Sequence, residues 1–249
     1  MSILQAIRTF FFYLLLGTSS LLWCSLSFFI APFLPFKASY RFINVYWCRF
    51  AVWLTGAMLG IRYEVLGAEH VPSQPCVILA NHQSTWETFF LSCYFQPLSQ
   101  VLKRELLYIP FFGWAMAMLK PIAIDRSNPK AALKQLAKQG NECLEQGTWV
   151  LIFPEGTRST PGQPLQLQRG AANIAVRCRA DLRLVHILCR PGTLTKQDPW
   201  YRIPPSRPHF QVSIREKIAI TPFVQDVASP AVAARQLTQF LTKALLPQE

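Results

Sequence analysis

Apolar and polar positions along the chain follow two regimes, and the change comes near residue 60. From Thr9 to Phe36 no charged side chain occurs, and Phe, Leu and Ser dominate. A helix of about 20 apolar residues crosses a bilayer, so this run is long enough to span or dip into one. Pro32 and Pro35 close it. Residues 40–59 then carry Phe42, Val45, Tyr46, Arg49, Trp53, Leu54 and Met58 at helical spacing. That mixture of aromatics and a few cations suits a helix lying in a membrane interface, although an amphipathic core helix would carry the same pattern. The chain therefore divides into membrane-anchoring hydrophobic helices at 1–60, ended by Gly60, and one domain at 61–249.

Beyond Ile61 the period shortens. Brief β-branched or apolar runs predict strands at 61–66, 76–80, 99–102, 121–125, 149–153, 183–190 and 209–215. Helical periodicity predicts helices between or after them at 85–95, 111–119, 129–146, 170–178 and 230–245. Strands alternating with helices imply an α/β fold, a largely parallel sheet covered by helices, here preceded by the hydrophobic helical anchor.

Composition sharpens this picture in two respects. Half the chain is apolar, 51% of 249 residues, which is high for a soluble enzyme and implies contact with lipid. The formal charge is +12, from 25 Lys and Arg against 13 Asp and Glu. Such a surface suits anionic lipid, a phosphorylated substrate or nucleic acid. Its cations are scattered and match no nucleic-acid-binding pattern, so nucleic acid is not an expected partner. The seven cysteines form no C-x-x-C pair, which points to free thiols in a reducing compartment and to no zinc site. The first apolar run is too long for a cleaved signal peptide and has no A-x-A site. Lys37, Arg41 and Arg49 follow it, and the positive-inside tendency keeps them on the cytoplasmic side. The expected location is a membrane, a bacterial inner membrane with the catalytic domain facing the cytoplasm.

Candidate chemistry gathers at Asn81-His82-Gln83-Ser84-Thr85-Trp86-Glu87. The preceding run, Cys76 to Ala80, is a buried strand by pattern, so His82 stands at a strand exit, where open sheets place reactive groups. Ser84 and Glu87 make an S-x-x-E capping box, which predicts a helix starting at Thr85. On one continuous helix residues 82 and 87 would point about 140° apart. With His82 in the turn and Glu87 in the first helical turn, the two side chains can meet. A carboxylate on one ring nitrogen fixes the tautomer and lets the other nitrogen act as a general base. The alternative is that Glu87 only caps the helix and His82 only bonds a loop.

These residues resemble the N-H-x-x-x-x-D signature of the glycerolipid and lysophospholipid acyltransferases, the family of 1-acyl-glycerol-3-phosphate acyltransferase. Further blocks in the family's order are similar too: Lys103-Arg104-Glu105-Leu106 leading to Pro110-Phe111-Phe112-Gly113, then Ile124-Asp125-Arg126, then Phe153-Pro154-Glu155-Gly156-Thr157-Arg158-Ser159. The resemblance implies acyl transfer from acyl-CoA or acyl-carrier protein to the hydroxyl of a membrane lysophospholipid, giving phosphatidic acid when the acceptor is 1-acyl-glycerol-3-phosphate. It casts His82 and Glu87 as the catalytic pair, with no metal and no cofactor besides the acyl donor. Glu155, Gly156, Thr157 and Arg158 take the family's role in binding the acceptor's phosphate. Lys103, Arg104, Arg126 and Arg158 follow different strand ends and can converge on that phosphate, which guanidinium holds with paired hydrogen bonds. Glu155 cannot bind phosphate itself, so we expect it to orient Arg158 or a backbone amide.

Two departures stand out. Glu87 replaces the family's Asp, which adds one methylene. The stretches Leu184-Val185-His186-Ile187, Trp200 to Pro205 and Pro208-His209-Phe210 do not match the phosphatidic-acid branch, so another lipid acceptor is an alternative. A hydrolase using the same His82 would lack any G-x-S-x-G elbow. A membrane-anchored lipid-binding protein without activity is favoured only by the Glu87 exchange.

Overall fold

In a computed structural model of the chain, the structure describes residues 3–71, 73–125, 127–159, 167–168, 170–196, 207–225 and 227–244. The predicted contribution of Arg126 and the departure at Trp200 to Pro205 lie outside them. Among the described residues seven strands form one sheet: β1 (Arg62–Leu66), β2 (Val77–Ala80), β3 (Leu98–Lys103), β4 (Ile122–Ile124), β5 (Trp149–Ile152), β6 (Leu182–Arg190) and β7 (His209–Ile218). Their order is β1-β7-β6-β2-β5-β3-β4, and every pairing is parallel except β6 with β7. β2, β5, β3 and β4 end on one common edge.

The central strands β2 and β5 are buried at every position, as expected of strands covered on both faces. One face, with Ile78, Ala80, Leu151 and Phe210, packs on α3 (Trp47–Leu59), α4 (Trp86–Tyr94) and α5 (Phe112–Met118). The other, with Val77, Leu79, Val150 and Ile152, packs on α6 (Pro129–Glu145), α7 (Gly170–Cys178) and α9 (Pro230–Ala244). A single turn, α8 (Thr221–Val224), precedes α9.

The first 60 residues fold as a helical hairpin. α1 (Ile3–Ile30) runs out, and α2 (Phe36–Tyr40), a wide helical turn at Arg41–Tyr46 and α3 return. The Trp23 indole donates to the carbonyl of Phe42 across the hairpin, 2.8 Å. Gly60 ends α3 at φ 71, a left-handed C-terminal position that glycine takes without steric cost. The two arms differ in burial. α3 buries Cys48, Ala51, Leu54, Thr55 and Leu59, whereas α1 buries Thr9, Phe12 and Ser27 and exposes much of its apolar surface. Two spans, Ile3–Phe33 and Phe36–Leu59, are long and apolar enough to cross a membrane by length and composition.

Candidate active site

β2 delivers Asn81 and His82 to the sheet edge, and the first turn of α4 brings Glu87 back over them. Asn81 is buried and clamps the neighbouring strand from both sides. Its amide donates to the carbonyl of Ile187, 2.8 Å, and accepts from the Ile187 amide, 2.6 Å. His82 is thereby fixed to β6 as well as to β2. Its own peptide unit is held by the loop after β5: Glu155 Oε1 accepts its N–H at 2.9 Å, and the amide and hydroxyl of Ser159 donate to its carbonyl at 2.6 and 2.8 Å. The Phe153 ring stacks on the imidazole, centroids 4.2 Å apart, and fixes its plane.

His82 Nδ1 lies 2.9 Å from Glu87 Oε1, so the two side chains meet. The same carboxylate oxygen accepts the amides of Gln83, 2.7 Å, and Ser84, 2.6 Å, and Oε2 accepts the Ser84 hydroxyl, 2.6 Å. Glu87 thus caps the turn and orients the histidine at once. Capping the turn and touching the imidazole, set against each other in sequence, are compatible in this geometry. The helix itself begins at Trp86, one residue later than expected, because the Ser84 hydroxyl accepts the Trp86 amide and folds the chain into a tighter turn.

Glu87 is fully buried, and taking a carboxylate out of water costs several kcal/mol. Four hydrogen bonds to a charged acceptor, roughly 1.5–3 kcal/mol each, offset that cost. An ionised carboxylate can only accept, so the proton of the shared bond sits on Nδ1 and the lone pair on Nε2. The His82 side chain is 18% exposed, which leaves the ring within reach of a substrate.

Glu155 contrasts with its neighbour. It is nearly buried too, but Oε2 has no hydrogen-bond partner among the described residues. Desolvation, partly countered by the His82 amide, pushes its carboxyl up to about 7. Of the two roles expected for Glu155, the structure displays the backbone-amide one. Arg158 is held elsewhere, its Nη1 donating to Thr85 Oγ1 and to the Leu194 carbonyl, both 3.2 Å. The guanidinium therefore lies against the turn that carries His82. Gly156 takes φ 70 as the loop turns back, a conformation that strains any residue with a Cβ, and Thr157 separates it from Arg158.

Lys103 ends β3 on the same edge, and Arg104 opens the short helical turn after it. In the order β2-β5-β3, strand spacing puts them about 10 Å from the His82 strand. Lys103 pairs with Glu105 at 3.3 Å, and both are half exposed. Asp125, one residue past β4, accepts from the amide and hydroxyl of Ser127. Asn81 and Ser159 are missing from the residues assigned a role in sequence, although both stand within the quoted motifs. The signal for Asn81 in sequence is a polar residue at the exit of a buried strand; its partner, 106 positions away, leaves no local signal.

The acyltransferase family model matches residues 62–190, a range that includes His82, Glu87, Lys103, Arg104, Glu155 and Arg158. A 1-acyl-sn-glycerol-3-phosphate acyltransferase of Pseudomonas aeruginosa is 62% identical over 204 residues, covering 82% of this chain and 79% of its own. The enzyme of that name from Saccharomyces cerevisiae is 36% identical over 47% of this chain and 40% of its own, and the human alpha form 35% over 50% and 45%. The crystal structure of the 1-acyl-sn-glycerophosphate acyltransferase PlsC from Thermotoga maritima superposes with a TM-score of 0.71, covering 98% of this chain and 96% of its own at 18% identity. That likeness extends over the N-terminal helices and establishes a shared fold. With half the chain matched by the family model and most of it by a relative at 62% identity, the chain belongs to the acyltransferase family.

Proposed function

We propose that the chain transfers a fatty acyl group from a thioester to the free hydroxyl of 1-acyl-glycerol-3-phosphate at the membrane surface, forming phosphatidic acid. The observation that carries this reading is the 2.9 Å contact between His82 Nδ1 and a buried Glu87, with the other ring nitrogen left to accept a proton. In the reaction, Nε2 removes the proton of the acceptor hydroxyl as its oxygen attacks the thioester carbonyl. The tetrahedral oxyanion collapses, the carbon–sulfur bond breaks, and the imidazolium returns its proton to the departing thiolate. Glu87 stabilises the transient imidazolium and holds the ring in the productive tautomer. No protein nucleophile is needed, because the thioester is already activated.

Arg158, with Gly156 and Thr157, is the proposed cradle of the acceptor's phosphate, and Lys103 and Arg104 add positive charge along the same edge. Binding there would bring the glycerol hydroxyl beside His82, since Arg158 already touches Thr85 in the histidine's turn. The names of the relatives in Pseudomonas aeruginosa, yeast and human support this acceptor. Acyl-CoA and acyl-carrier protein are both donors of the required chemistry. The exposed apolar surface of α1 supports a membrane location, with Lys37, Arg41 and Arg49 favouring the cytoplasmic face.

Full-length protein in phospholipid vesicles, given labelled acyl-CoA or acyl-carrier protein, tests the reading. It predicts label in phosphatidic acid from 1-acyl-glycerol-3-phosphate and far less product from the dephosphorylated acceptor. Equal use of both acceptors would remove the phosphate from the recognition. Release of free fatty acid in place of transfer would make the chain a hydrolase.

A further inference from the structure

Beyond Arg104 the chain makes a knuckle, Leu106–Trp114, that the proposed chemistry leaves unused. A 3-10 turn at Arg104–Tyr108 leads through Pro110 into α5. From Leu106 on its side chains are apolar or aromatic, yet many face outward: Leu106 is 38% exposed, Tyr108 69%, Ile109 45%, Phe111 39% and Trp114 45%. Two features make this an imposed shape. Phe111 sits at φ 61 and ψ -57, a positive-φ conformation that a bulky residue adopts only when its surroundings enforce it. Gly113 lies so close under the turn that a Cβ there would come 2.2 Å from the Leu107 carbonyl oxygen. The backbone is locked into a projection that displays these side chains.

The display is continuous with α1. Phe28 of α1 packs on Trp114 at 5.6 Å between ring centroids, Trp114 on Phe111 at 5.1 Å, and Phe28 on Phe29 at 5.4 Å. One aromatic cluster therefore joins Phe28 and Phe29 of α1 to Trp114 and Phe111 of the knuckle, and Phe33 and Tyr108, near it in the chain, are exposed as well. Lys103 and Arg104 border the knuckle on the catalytic edge, and Lys120 stands at the far end of α5 with its ammonium over the Phe36 ring, 4.9 Å away. Aromatic and aliphatic side chains rimmed by cations are what the interface of an anionic bilayer accepts. A second copy of a chain carrying +12 would instead bring like charges together at that rim.

We propose that the knuckle Leu106–Trp114 is a second membrane-docking element, inserting beside α1 into the interface of an anionic bilayer. This rests on the reading of α1 as membrane-bound. Because the knuckle leaves β3 on the edge that carries His82, its insertion turns that edge toward the lipid surface, and a lysolipid reaches the base without leaving the bilayer.

The test places a photoreactive benzoylphenylalanine in turn at Tyr108, at Phe10 of α1 and at Lys138 of α6, whose side chain is 78% exposed on the opposite layer. Each full-length protein is reconstituted in vesicles of zwitterionic and anionic phospholipid and irradiated, and adducts are read by mass. The proposal predicts phospholipid adducts at positions 10 and 108 in comparable yield, and background at 138. Adducts at 10 without adducts at 108 overturn it and leave the α1 reading standing, whereas their absence at both overturns the two together. Protein–protein crosslinks at 108 in place of lipid also overturn it, by assigning the surface to a second copy.

Discussion

Two carboxylates touch His82 and do different work because their surroundings differ. Glu87 collects four donors, while Glu155 accepts the His82 amide and leaves Oε2 without a described partner. With its carboxyl raised to about 7 by burial, Glu155 binds a proton in the folded state that the unfolded chain has already lost above its ordinary value of 4.5. Stability contributed this way is therefore lost as pH rises from near 4.5 through about 7, an effect on the order of 3 kcal/mol. Glu155→Gln keeps an acceptor for the His82 amide and should flatten that slope, as the difference in denaturation free energy between the two proteins across this range will report. Glu87→Gln removes the charge beside Nδ1 and should lower kcat about 10²- to 10⁴-fold. The S-x-x-E spacing made the His82–Glu87 encounter legible in sequence. The ties of Asn81 to Ile187 and of Ser159 to His82 were not, because they join residues 106 and 77 positions apart.

Short elements with a clear period were legible to within a residue or two, since a parallel sheet covered on both faces demands continuous apolar strands with helices between them. All seven predicted strands are found, β7 running three residues further than expected. The knuckle after β3 was not legible, because the pattern assigned residues 103–110 to no element, and the turn there is set by the close approach of Leu107 to Gly113. Gly113→Ala should cost about 1–3 kcal/mol through that clash, visible as a lower Tm. The loop after β5 carries the second test at this scale. Arg158→Ala should raise KM for a phosphorylated acceptor roughly 10- to 100-fold, as expected for loss of a charge-assisted contact of 1.5–3 kcal/mol, and leave KM for the thioester nearly unchanged.

For the molecule as a whole, composition pointed to lipid contact but could not say how the N-terminal helices meet the domain. Divided at residue 60 in sequence, the chain is joined there by packing: Tyr40, Ile43, Val45, Leu54 and Leu59 share one core with Ile78, Leu151 and Phe210. Side chains of this kind contribute roughly 1.5–3 kcal/mol each when buried, against a total stability of about 5–15 kcal/mol. A chain beginning at Gly60 should therefore fail to fold, which circular dichroism and solubility will show. The central claim is that proton transfer at His82 drives acyl transfer, and turnover by purified, vesicle-bound His82→Ala tests it most directly. Loss of at least about 10³-fold in kcat with an unchanged Tm is the result predicted; turnover near that of the natural chain would contradict it.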